Sequence, residues 1–226
     1  MEDGTRVVIL RAAERLFADR GFGVSLREIG AEAGQRNHSA VQYHFGTKER
    51  LSEALFAYRM EPINKRRLEL IEQVREAGGD KDLPALADVL VRPLAEHVLA
   101  HRGNSSYVRF MARLFLSGFE PEPLAEEYTE GIIVFRGLLA AARPELAAER
   151  YSIAYLHMVV VLASLEQRCD DPDFTDEEAH RVVAELYVTM AATLAAPPSA
   201  AFGTLGGNSG TTERRQGLGL ISRRRG

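Results

Sequence analysis

The chain has 226 residues, 46% of them hydrophobic and 27% charged, and its single cysteine, Cys169, excludes both an intramolecular disulfide and a thiolate metal cage. Taken as one number, the net charge of −4 speaks against a nucleic-acid partner. Its distribution does not: residues 1–50 hold 8 Lys and Arg against 7 Asp and Glu, residues 51–196 hold 15 against 24, and residues 197–226 hold 5 against 1, so an anionic partner would meet the first segment or the last.

From the N-terminus, acidic residues precede a short apolar stretch, the reverse of a secretory leader. Over residues 5–20, Ile9, Ala12, Ala13, Leu16 and Phe17 recur at helical spacing, which predicts an amphipathic helix ended by Gly21. Ser25 and Glu28 form a capping box that opens a short second helix burying Leu26, Ile29 and Ala33, with Gly34 as its stop. A third helix carries Val41 and Phe45 at i, i+4 and breaks at Gly46. Thr47 caps a long fourth one with a kink or break expected at Pro62 and an end at Gly78-Gly79.

Helical patterns follow over 83–100, 106–117, 124–142 and 145–167, and a last one over 175–194 begins at a second capping box, Thr175 with Glu178. Pro197-Pro198 closes the folded part, and residues 199–226, rich in Gly, Ser, Thr and Arg, have too little apolar surface to pack and are expected to be disordered. No alternating run supports a sheet, so the fold class is all-α: a helix-turn-helix unit over 1–50, a helical domain over 51–196 and a tail over 197–226. The apolar run 151–165 falls short of the roughly 18 residues of a membrane span, which points to a cytoplasmic protein with no membrane partner.

The third helix is unusual in what it shows. In AGQRNHSAVQYHF, residues 33–45, only Ala40, Val41 and Phe45 are needed for docking, and Gln, Asn, His, Ser and Tyr are left outside. A polar face is most often simply solvated. These side chains are nevertheless the ones that read DNA: Gln and Asn bond adenine in pairs, Ser and His reach base edges or phosphates, and a helix about 10 Å across fits the major groove. Lys48 sits at a helix start, where a cation opposes the helix dipole and a phosphate partner would account for it. For Arg6 and Arg11, phosphate contact and plain solubility weigh about equally.

SLREIGAEAG followed by AVQYHFGTKERL, within residues 6–58, resembles the N-terminal domain of the tetracycline-repressor (TetR) family. The resemblance implies a homodimeric transcription factor, usually a repressor, that leaves a palindromic operator in double-stranded DNA when a small-molecule effector enters its C-terminal domain. By position it implies that Ser25 caps the second helix and touches a phosphate, that His38, Ser39 and Gln42 face base edges, that Tyr43 and His44 contact the backbone, and that Lys48 pins a phosphate. Arg27, Gln35, Arg36 and Asn37 complete the DNA-facing set. The link from Gln35 to His38 is one residue longer than the common turn, and Gln42 stands where the family often has an aromatic.

Residues 152–165 and 186–196 are apolar on every face and so must be covered on every face. That is met either in the middle of one bundle or by pairing with a second copy; with the family resemblance, Tyr155, Val159, Leu162, Leu186, Met190 and Leu194 are the expected dimer interface. Tyr107, Phe110, Met111, Phe115, Phe135, Tyr155, His157 and Met158 are candidates for an effector pocket, with Arg109 or His157 fixing a polar group, although such residues at helical spacing are more often plain core.

Other short patterns carry less. His97 and His101 lie at i, i+4 without a third ligand, the acidic stretch 169–178 lacks the glycine and spacing of a calcium loop, and GNSG at 207–210 has no strand before it. No metal or other cofactor is expected. A helical-bundle enzyme or carrier is the alternative from another class, but the sequence holds no Glu-x-x-His pair, phosphate loop or credible triad, so an enzyme is not expected. An activator or a constitutive DNA-binding factor on the same fold is the alternative within the class.

Overall fold

The computed structural model describes residues 2–35, 37, 39–116, 126–146 and 148–197. Among them are nine helices and no strand: α1 (Glu2–Arg20), α2 (Leu26–Glu32), α3 (Ala40–Phe45), α4 (Lys48–Glu76), α5 (Leu83–Ala100), α6 (Tyr107–Leu116), α7 (Glu126–Ala142), α8 (Ala148–Arg168) and α9 (Asp176–Ala195). The tail expected to be disordered, residues 199–226, lies outside the described residues, as does the GNSG stretch within it.

Both capping boxes form. The Ser25 hydroxyl takes the Glu28 backbone N–H at 3.2 Å and the Glu28 carboxylate takes the Ser25 N–H at 2.9 Å, with the same exchange between Thr175 and Glu178 at 3.2 and 2.8 Å. Of the kink or break expected at Pro62, the break is absent: α4 runs unbroken through it. Leu55, Arg59 and Met60 before the proline and Ile63, Asn64 and Arg67 after it are all buried, so packing against α1, α5 and α7 keeps both halves helical while Pro62 itself faces outward. α7 approaches closely where Gly131 donates its N–H to Asn64 Oδ1 at 2.8 Å. A Cβ at residue 131 would stand 2.5 Å from that oxygen, so only glycine lets the two helices meet there.

α1 and the later helices surround one continuous core, with α1 packed on α2, α4 and α6. The N-terminus of α6 is enclosed, and its free N–H groups need acceptors. Two carboxylates from distant helices provide them. Glu14 of α1 accepts the Ser106 N–H at 2.8 Å, and Glu166 of α8 accepts those of Val108 and Arg109 at 3.3 and 2.9 Å. In return, Arg113 of α6 donates to the carbonyls of Ala18 and Asp19 at the end of α1. Arg59 of α4 neutralises Glu14 through Nε and Nη2 at 2.6 and 3.0 Å in a fully enclosed pair.

Candidate nucleic-acid interface

α2 and α3 are joined by a tight turn in which Gly34, at φ +65°, lets the Gln35 N–H return to the Gly30 carbonyl at 2.9 Å. Val41 and Phe45 are buried against the unit's core, as expected, and Ala40 is half-buried. Outward, Tyr43 is 78% exposed, and Gln42 and Ser39 are exposed as well. At the C-terminal end of α3, the Arg6 guanidinium donates to the His44 carbonyl at 3.1 Å and lies 4.6 Å over the Phe45 ring. A cation there favours the negative end of the helix dipole, which gives Arg6 a structural duty beyond solubility. Arg6, Gln42, Tyr43, His44 and Arg50 border one shallow recess of about 360 Å³. Arg50, which no spacing in the sequence singles out, lies in the first turn of α4 beside the third helix.

Several predicted contacts have intramolecular work. The Asn37 side chain accepts the Ser39 N–H at 2.9 Å and so caps α3 in place of Ser39, whose hydroxyl makes no cap bond. Gln35 turns its amide back to the Ala33 carbonyl at 3.1 Å. Lys48 donates to the Phe22 carbonyl at 2.7 Å, tying the α1–α2 link to the start of α4. That bond, rather than a phosphate alone, accounts for a cation at a helix start. The Ser25 hydroxyl also donates to the Glu28 carboxylate, and these bonds from Ser25 hold the Glu28 carboxyl below the usual carboxylate range. Arg27, exposed in the first turn of α2, has no ion-pair partner among the described residues. Arg36 and His38 lie outside the described residues.

Residues 9–55 match the family model of the bacterial regulatory proteins of the tetR family. Over those residues the chain carries a tetR-family DNA-binding domain. No curated protein matches the chain. The matched span runs from within α1, through all of α2 and α3, into the second turn of α4.

The candidates in the rest of the chain are divided by the structure. Phe115, Phe135 and Tyr155 gather in one aromatic region: Tyr155 stacks on Tyr151 at 6.0 Å and meets Phe115 edge-on at 5.6 Å, and Phe135 lies 6.3 Å from Tyr151. The Tyr107 ring instead meets those of Phe56, His97 and Phe110 at 6.1, 5.8 and 6.1 Å. Phe110 instead faces α1, 6.0 Å from Phe17 and 5.8 Å from Phe22. Met111 and Met158 are core residues. Arg109 is not aimed at the aromatic region as its anchor; its guanidinium has a 3.0 Å ion pair with Asp170 and lies 3.7 Å from both Glu166 and Asp19. His157 is half-exposed, between Leu156 and Val160 in register on the outer side of α8.

The expected dimer residues lie mostly inside the protomer. Val159, Leu162, Leu186, Met190 and Leu194 are all buried inside this chain, because the apolar-all-round helices use that side for their own core; Tyr155 is half-buried in the aromatic region. What α8 and α9 turn outward is a different set: Ile153 64% exposed, Leu156 40%, Val160 46% and Val188 65%. His97 is also accounted for. Its Nε2 is 3.1 Å from the Ser105 hydroxyl and its ring stacks on that of His101 at 4.4 Å, while burial and then the Arg59 charge push its pKa to about 3 and keep it neutral. No helix among the described residues is long and apolar enough to cross a membrane.

Proposed function

We propose that this regulator is a cytoplasmic, homodimeric repressor that reads a palindromic operator with α3 and releases it when a small molecule enters the bundle. Residues 1–50 read DNA, and residues 51–196 bind the effector and dimerise. The observation that carries this reading is the division of α3: Val41 and Phe45 dock it, while Gln42 and Tyr43 are exposed and their side chains make no hydrogen bond among the described residues. Gln42 reads base edges, Tyr43 and Arg27 meet the backbone, and two copies on a twofold axis address half-sites one helical turn apart, about 34 Å. Because α4 starts beside the reading helix and continues into the bundle core, a ligand that favours one placement of α4 changes the spacing of the two reading helices. Activation of transcription on the same fold would use the same contacts.

The test is selection of bound duplexes from a random DNA library by the purified full chain, followed by sequencing. An enriched palindrome whose binding weakens steeply as salt rises supports the reading, since phosphate contacts release counterions. No enrichment at low salt overturns it.

For dimerisation, the support is the outward stripe of Ile153, Leu156 and Val160 at i, i+3, i+7, joined by Val188 on the helix packed beside it. A second copy laying the same stripe across it forms an intersubunit four-helix arrangement. The double variant Ile153→Glu, Val160→Glu is expected to sediment as a monomer with an unchanged circular dichroism spectrum and to lose operator binding. A variant that remains dimeric removes this face from consideration.

A further inference from the structure

Arg67 lies in the second half of α4 with 3% of its surface exposed. Its neighbours on the same face, Ile63, Leu70 and Ile71, are buried too, so its stem cannot carry the charge to water along the helix. The Nε and Nη1 atoms are buried and make no hydrogen bond. The groups whose charge acts on the guanidinium are the phenols of Tyr155, Tyr151 and Tyr107, and among the described residues no carboxylate joins them. The Tyr107 hydroxyl is also buried without a hydrogen bond. Burial lowers the Arg67 pKa and raises those of the three tyrosines, as expected for polar groups enclosed without counter-charges.

The other enclosed arginine shows what this chain does with a structural guanidinium. Arg59, on the same helix, is gripped by both oxygens of Glu14. Arg67 has donors of the same kind and no acceptor for Nε or Nη1, in a place where α6 and α8 bring Tyr107, Tyr151 and Tyr155 near it, with the Phe115 and Phe135 rings packed on Tyr155 and Tyr151. A buried, unpaired cation is strongly unfavourable, and the deficit is removed by whatever supplies one negative charge with two acceptor oxygens.

We propose that Arg67 anchors an anionic effector, a small organic monocarboxylate with an apolar or aromatic body. The carboxylate accepts from the Arg67 guanidinium and from the Tyr107 hydroxyl, and the body lies against the tyrosine and phenylalanine rings. One cation matches a carboxylate better than a phosphate dianion, and an aromatic wall suits an apolar body. This inference rests on the proposed reading of residues 51–196 as the effector domain. It adds a route for the signal, because Arg67 is on the helix whose first residue, Lys48, is bonded to the reading unit through the Phe22 carbonyl.

The experiment follows thermal unfolding of the full chain with acetate, hexanoate, decanoate, benzoate and phenylacetate, each paired with its neutral amide. At least one of the larger carboxylates is expected to raise Tm by about 3–6 °C at a tenfold excess over its Kd, with no rise from its amide. Arg67→Met is expected to melt at or above the wild-type temperature without ligand, because it removes an unpaired charge, and to lose the response to carboxylate. Arg67→Lys, which keeps the charge but not the planar fork, is expected to bind about tenfold more weakly. Carboxylates and amides acting alike, or Arg67→Met melting well below wild type with the carboxylate response intact, would overturn the proposal. Carboxylate bound through Arg67 with operator affinity unchanged would leave the anion site standing and remove effector release. Release by neutral molecules alone, undisturbed in Arg67→Met, would do the opposite.

Discussion

Replacing Gln42 and Tyr43 together with alanine is expected to abolish sequence-specific DNA binding while leaving the fold intact. Both side chains are exposed, and surface replacements away from caps and core usually change stability by about 0.5 kcal/mol or less. A well-formed base contact supplies about 1–3 kcal/mol of discrimination, and a dimer makes each contact twice. A loss of about 4 kcal/mol or more follows, roughly 1000-fold in Kd. Fluorescence anisotropy against the selected duplex at fixed salt measures it. The residual, sequence-independent binding of the variant should keep most of its salt slope, since Arg27 and the helix N-termini still meet phosphates. Unchanged affinity for the selected duplex would mean that α3 is a surface and not a reader.

Glu14→Ala is expected to be among the most destabilising single changes in the chain. The carboxylate takes two bonds from Arg59 and one from the Ser106 backbone N–H in an enclosed setting, so its removal leaves a buried cation and a buried donor without partners. Breaking such a pair costs about 3–5 kcal/mol, against a total stability of about 5–15 kcal/mol for a typical domain. Urea unfolding should show the loss as a lower midpoint with an unchanged slope. The double variant Glu14→Leu, Arg59→Met should recover most of the ion-pair part but not the share from Ser106, because the α6 terminus still lacks its acceptor. Glu14→Ala with wild-type stability would show that the pair contributes only what its desolvation takes away.

Much of the reading unit was legible in the sequence because local chemistry decides it. The Ser25 and Thr175 capping boxes, the stop at Gly34 and the docking of Val41 and Phe45 depend on residues a few positions apart, and all appear as expected. Pro62 was less legible, since whether a proline interrupts a helix depends on what holds the two halves. The outward side of α8 was hard to read for a related reason: residues 152–165 are apolar on every side, so periodicity cannot say which side the protomer keeps. Arg67 left a signal, a cation four residues after Ile63 and four before Ile71, on the apolar stripe of α4. A long arginine stem at such a position ordinarily reaches water, and only the burial of its neighbours shows that this one does not. Lys48 and Asn37 looked like DNA contacts by type and position, and their bonds to the Phe22 carbonyl and the Ser39 N–H come from tertiary geometry.

The exchange between α1 and α6, in which Glu14 serves the beginning of one helix and Arg113 the end of the other, makes the reading unit a poor candidate for transplantation. Residues 1–50 grafted onto a foreign bundle would carry Glu14 without Arg59 and without the helix terminus it satisfies. The same meshing gears the two parts together: Tyr107 stands one residue from the Ser106 N–H that Glu14 holds, so α6 cannot slide at its aromatic end without dragging α1. Chimeric regulators built from this chain should therefore be cut after the bundle, not before it.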